Sequence, residues 1–144
     1  MSVYGAPERV YVELEWYDGP RAGVADVDGE PHRFKSLFDE RADDFSDLFE
    51  VWPIDPEALR LETAQWNLFV AWNDLFEAGA TSTDSHPGQG GIDARWDELQ
   101  SGLGAERVAV PAHARKARGK FVRSDRDRRY DASGPDYSMR WCLE

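Results

Sequence analysis

VYVELEWYDGPRAGVADVDGEPHRFKSLF, residues 10–38, is the stretch whose reading decides the fold. It divides into three short strands joined by two glycine turns. Val10, Val12, Leu14 and Trp16 alternate with Tyr11, Glu13, Glu15 and Tyr17, which predicts an antiparallel strand with one packed and one wet face. Asp18-Gly19-Pro20 ends it, because Asp-Gly supplies positive φ at low cost and proline has no N–H to donate into a ladder. A second strand over 21–27 ends at Asp28-Gly29. A third opens at Pro31 and carries His32, Phe34 and Leu37. Turns at this close spacing predict a meander, flat or curled into a small half-open barrel.

The flanking chain supplies the rest of the fold. Residues 47–54, DLFEVWPI, read as a fourth strand, and 107–123 as one or two more, with Val108 and Val110 alternating before Pro111. Asp55 caps a long helix, Pro56 suits its first turn, and Gly79 marks the residue past its end. Leu61, Leu68, Phe69, Trp72, Leu75 and Phe76 fall on one broad arc, the expected core face. Trp66 and Val70 lie outside that arc, against a neighbouring loop or, alternatively, at a homodimer or partner contact. Residues 79–91, GATSTDSHPGQGG, read as a flexible linker. A shorter helix follows with Ile92, Trp96, Leu99 and Leu103 on one face, ended by Gly102 and Gly104. The expected fold is therefore α+β: an antiparallel meander or half-open barrel of four to six strands, packed by one long and one shorter helix. A single domain is expected over 1–123, with 124–144 a polar tail docked through Tyr130, Tyr137 or Trp141.

Composition narrows the classes. The chain has 144 residues and a formal net charge of −11. Residues 1–106 hold 7 Lys/Arg against 23 Asp/Glu, whereas 107–129 hold 9 against 2. The basic stretch reads as a strand laid across an acidic body. A strip for phosphate backbones, formed by Arg115, Lys116, Arg118, Lys120 and Arg123, is the less favoured alternative, since the acidic body repels nucleic acid beyond a Debye length of about 8 Å. No run approaches the ~18 apolar residues of a membrane span. Residues 1–5 lack the basic and apolar regions of a leader, and the single Cys142 fits a reducing cytoplasm. The Arg-rich bias, 14 Arg to 3 Lys, fits a GC-rich bacterial genome. Leu143-Glu144 resemble a cloning scar.

Chemistry-bearing residues are few. Asp18 and Asp28 are explained by their turns. Arg21 follows Gly-Pro and can face a carboxylate or phosphate, but an ion pair on a wet sheet face is preferred. His32 shares a face with Phe34, and a structural hydrogen bond is preferred over a base. With Trp16, Asp18 and Arg21, His32 would form the only candidate pocket, at the turn end of the sheet. In a plain meander, however, the two turns stand at opposite ends of the middle strand, so His32 is expected to stay apart from Asp18 and Arg21. The histidines at 32, 86 and 113 match no metal template, and no phosphate loop or nucleophile elbow is present. No metal or cofactor is expected.

The acids Asp39, Glu40, Asp43, Asp44 and Asp47 read as a solvated loop. These features point to a non-enzymatic cytoplasmic binding or regulatory module that engages a protein partner, immunity-type or adaptor-like. A small enzyme or ligand binder with the turn-end pocket is the alternative, and nucleic-acid contact through 107–129 a second one.

Overall fold

The computed structural model describes residues 3–144, the Val108 side chain excepted; Met1 and Ser2, where the leader reading began, lie outside the described residues. Strands β1 (Glu8–Trp16), β2 (Pro20–Val27), β3 (Glu30–Asp39) and β4 (Asp44–Pro53) run as an antiparallel meander. Helix α1 (Pro56–Glu77), two short 3-10 turns (Thr83–Ser85 and Pro87–Gln89) and helix α2 (Ala94–Val108) follow. The chain then returns through β5 (Arg115–Arg123), a small hairpin of β6 (Tyr130–Asp131) and β7 (Gly134–Pro135), and β8 (Tyr137–Leu143). The strand order β1-β2-β3-β4-β5-β8 closes on itself, so the α+β fold is a closed six-stranded barrel packed by two helices. Among the described residues no helix is long and apolar enough to cross a membrane.

Two features let this sequence close. Asp28 and Gly29 both take positive φ, 54° and 78°, the two-residue turn whose twist matches its strands. In β1, Val10 pairs with Ala25 but Val12 with Val24, so Tyr11 is an extra residue in the strand. This bulge corrects the simple alternation expected for β1. Val10 enters the barrel with Phe34, Phe49, Met139 and Trp141, while Val12 joins Val24, Ile54, Ala58, Trp66, Val70 and Leu103 beneath the helices. Both valines are buried in different cores. The barrel interior is filled by rings: Phe34, Phe49 and Trp141 stand with centroids 5.5–5.8 Å apart. A Cβ at Gly119 would lie 2.6 Å from the Trp141 ring, so β5 passes this cluster only as glycine.

Four sequence expectations are corrected. Trp66 and Val70 are buried, at 5 % and 7 % exposure, while Leu75 and Phe76 stand exposed, so α1 is turned from the arc its apolar residues trace. The buried stripe is Ala58, Glu62, Gln65, Trp66 and Val70. On this face Glu62 meets the buried Arg33 of β3, while Ala58, Trp66 and Val70 pack in the apolar cluster beside it. Helix α2 runs through Gly102 and Gly104 to Val108, so residues 108–110 begin no strand. Each helical glycine costs about 1 kcal/mol, less than the burial of Leu99 and Leu103 returns. The 79–91 segment is folded by its own bonds, with Ser85 N–H to the Ser82 carbonyl and the Gln89 amide to the Thr83 carbonyl at 2.8 Å. Residues 124–144 are not a docked tail, since β8 in this stretch closes the barrel.

Candidate functional site

Antiparallel topology puts the β1–β2 and β3–β4 turns at one end of the barrel and the β2–β3 turn at the other. At the first end the two hairpin tips meet. The Tyr17 and Phe45 rings are 6.1 Å apart, and Phe38 meets Phe45 edge-on at 5.3 Å. Arg21 stitches the tips together: its Nε donates to the Tyr17 carbonyl at 2.8 Å, Nη2 to the Asp18 carbonyl and Nη1 to the Ser46 carbonyl. Its guanidinium carbon lies 5.2 Å from the Phe45 ring centre.

The tip aromatics face solvent. Tyr17 is 66 % and Phe38 49 % exposed. A shallow depression of about 550 Å³ lies among Tyr17, Asp18, Phe38, Asp43, Asp44 and Phe45. Asp18, Asp43 and Asp44 line it, and Asp39, Glu40 and Asp47 stand exposed on the same β3–β4 hairpin. Some are held by local bonds, as Asp39 Oδ1 accepts the Arg41 N–H at 3.0 Å and Asp47 pairs with Arg118 at 2.8 Å. Asp18 and Asp43 sit at positive φ, 54° and 52°, a conformation that short polar side chains tolerate at turns. The result is an aromatic centre flanked by Asp18, Asp43 and Asp44 on two hairpin ends that Arg21 joins. The acid-rich loop was legible in the sequence; the aromatic centre was missed, because its three rings come from two hairpins.

The other residues singled out in the sequence do not converge. His32 is buried at the opposite end, where Nδ1 donates to the Glu30 carbonyl at 2.7 Å. It pairs across the sheet with Ala25, four residues along β2 from Arg21, about 13 Å at strand rise. Trp16 belongs to a third group, 5.3 Å from Phe121 and 5.4 Å from Tyr137, with the guanidiniums of Arg123 and Arg129 over its ring at 4.8 and 4.7 Å. The alternative pocket of Trp16, Asp18, Arg21 and His32 is therefore not assembled, and His32 stands apart from Asp18 and Arg21 as a plain meander implies.

Glu13 organises the group around Trp16. It accepts from Arg129 at 2.6 Å, Tyr137 at 3.0 Å and Tyr130 at 3.3 Å. Burial, followed by the Glu13 charge, raises the pKa of both tyrosines, so their phenols stay neutral.

The basic stretch is only partly matched by acids. Arg118 pairs with Asp47 and with Glu144, and Arg123 with Asp136 of the C-terminal segment. Lys120 lies over the Tyr4 ring at 4.2 Å. Among the described residues, Arg115 and Lys116 make no ion pair within 4.0 Å, although Lys116 faces Glu50 across the β4–β5 ladder. A strand laid across the acidic body would match Arg115, Lys116, Arg118 and Lys120 with acids of residues 1–106. Of these four, Arg118 alone pairs with such an acid among the described residues, whereas Arg107, Arg128 and Arg129 pair with Glu62, Asp74 and Glu13.

A further cluster goes beyond the sequence reading. Glu62 on α1, with a wholly buried side chain, binds Arg33 of β3 at 2.6 Å and Arg107 of α2 at 2.5 Å. Arg107 also donates to Gln65 and Gln100. The stripe Ala58-Glu62-Trp66-Val70, at spacings of four, was the available signal. Comparison of the chain with protein-family models, curated proteins and solved structures found no match.

Proposed function

We propose that this protein is a non-enzymatic binding module that engages a basic protein partner through the paired hairpin tips. The carrying observation is the Tyr17–Phe45–Phe38 cluster, with Tyr17 and Phe38 exposed, beside the carboxylates of Asp18, Asp43 and Asp44 that line the same depression. Aromatic side chains at the centre of an interface, surrounded by a polar rim, are where binding energy concentrates. The rim would steer a cationic partner and set its orientation, while the rings supply the buried area. Arg21 and the barrel pre-order both tips, which lowers the entropic cost of association. A cytoplasmic setting belongs to this proposal and accords with an unpaired Cys142.

The test is affinity capture with cross-linking from the native host, run in parallel on the parent chain and a Tyr17→Ser/Phe38→Ser variant of unchanged melting temperature. A basic protein is expected to cross-link to the tips of the parent, to be lost from the variant, and to weaken as salt is raised. Equal retention by the variant, or cross-links confined to other faces, would overturn the reading.

A further inference from the structure

The cleft between β1, α1 and α2 encloses about 310 Å³ and shares no residue with the hairpin tips. Its walls are aromatic, formed by Trp66, Phe69, Trp96 and His86. His86 stands 6.1 Å from both Phe69 and Trp96 by ring centroid. The Gly88 N–H donates to His86 Nδ1 at 2.9 Å, so in the neutral ring the proton sits on Nε2, which is then a donor. Arg107 and Glu62 form the polar end of the cleft.

That end carries unmatched positive charge. Arg33 and Arg107 share the single carboxylate of Glu62, and no other acid among the described residues lies within 4.0 Å of either guanidinium. The remaining carboxylate of the lining, Glu13, is itself compensated by Arg129 at 2.6 Å. Arg33 is 3 % exposed and its Nη2 has no hydrogen-bond partner among the described residues, but it is not one of the residues that line the cleft, which it meets only through Glu62. A guanidinium has five N–H groups. Those of Arg107 go to Glu62 through Nε and Nη2, to Gln65 through Nη2 and to Gln100 through Nη1, which leaves one Nη1 N–H without an acceptor. The Arg107 side chain lines the cleft and is 15 % exposed, so this N–H can reach an anion entering from solvent.

We propose that the cleft binds a small planar aromatic carboxylate, its ring held among Phe69, Trp96 and His86 and its carboxylate at Arg107. One excess charge and one remaining N–H on Arg107 fit a monoanion better than a doubly charged phosphate. Four aromatic walls require a ring, and the net positive end disfavours the cations that such walls otherwise attract. The volume lies at the lower bound of ligand pockets, about 300 Å³, which limits the guest to one or two fused rings.

The test uses the full chain and three probes: 1-naphthoate, its neutral counterpart 1-naphthamide, and inorganic phosphate. Tryptophan fluorescence reports occupancy and thermal unfolding reports stabilisation, since a ligand of the native state raises the melting temperature. Naphthoate is expected to quench saturably, to raise the melting temperature, and to bind at least about tenfold tighter than naphthamide. Arg107→Gln should abolish that preference. Because Arg107 also braces Glu62, Trp96→Ala serves as the second variant, expected to fold and to weaken naphthoate by about tenfold. Equal binding of acid and amide, unchanged binding by the Trp96→Ala chain, or no saturation below about 1 mM would overturn the proposal. Displacement of naphthoate by phosphate at equal concentration would overturn it too, as the mark of a plain anion site.

Discussion

The carboxylate of Glu62 meets the guanidinium of Arg33 at 2.6 Å with 0 % and 4 % of the two side chains exposed, one from the long helix and one from the barrel wall. This pair, with Arg107 closing it from α2, lies on the inward face of α1 beside Ala58, Trp66 and Val70. Charges taken out of water need each other, and losing one leaves the other stranded.

Removing that carboxylate should therefore be severe. Glu62→Ala is expected to cost about 3–5 kcal/mol, the usual range for breaking a buried ion pair. Urea unfolding of parent and variant measures it, and a loss below about 1 kcal/mol would show that water already solvates the two arginines.

The turned helix can be checked with its tryptophans. Trp66 is buried, and its Nε1 donates to the Asp131 carbonyl at 2.7 Å, tying α1 to the β6–β7 hairpin. Trp66→Ala should cost about 3–5 kcal/mol. The exposed Leu75 should tolerate Leu75→Ser within about 0.5 kcal/mol. Thermal melts of the two variants, side by side, report the orientation of α1 directly.

Three tyrosines give the protein an alkaline limit. Burial first and the nearby Glu13 charge next hold the phenol of Tyr137 protonated far beyond the usual range, and Tyr130 is raised for the same reasons. Tyr11 is raised by burial and by its bond to Asp26. In the unfolded chain a tyrosine loses its proton near about pH 10. Above that pH the native state binds more protons than the unfolded one, so stability is fully present below about pH 10 and falls as pH rises. Melting temperature against pH should decline from about pH 10 upward, and Tyr137→Phe should make that decline shallower. An unchanged slope would remove Tyr137 as its source.

Among the described residues Lys116 and Arg115 make no ion pair within 4.0 Å, yet the chain as a whole carries a net charge of −11. Generic duplex DNA should bind no tighter than about 10⁻⁴ M at physiological salt. Fluorescence anisotropy over a salt series tests this, and micromolar binding with a steep salt slope would make Arg115, Lys116 and Lys120 a nucleic-acid strip.

The meander strands β1–β4, their turns and both helices could be read from the sequence, because their causes are local. Asp28-Gly29 takes two positive φ values whatever surrounds it, and Asp93 caps α2 by accepting the Arg95 and Trp96 N–H groups. His32 was read as structural because alternation placed it beside Phe34, and it bonds the Glu30 carbonyl as a structural histidine does. Closure of the barrel was not readable, since it needs β8, whose partner β1 lies more than a hundred residues away. The inward face of α1 was misread for a related reason. Hydrophobic patterning treats Glu62 as a solvent residue, and only Arg33 and Arg107, brought together from β3 and α2, make its burial favourable. The hairpin-tip cluster likewise joins Tyr17 to Phe38 and Phe45 across two turns. Local backbone chemistry belongs to neighbours in the chain, while charge compensation and exposed aromatic surfaces belong to neighbours in space.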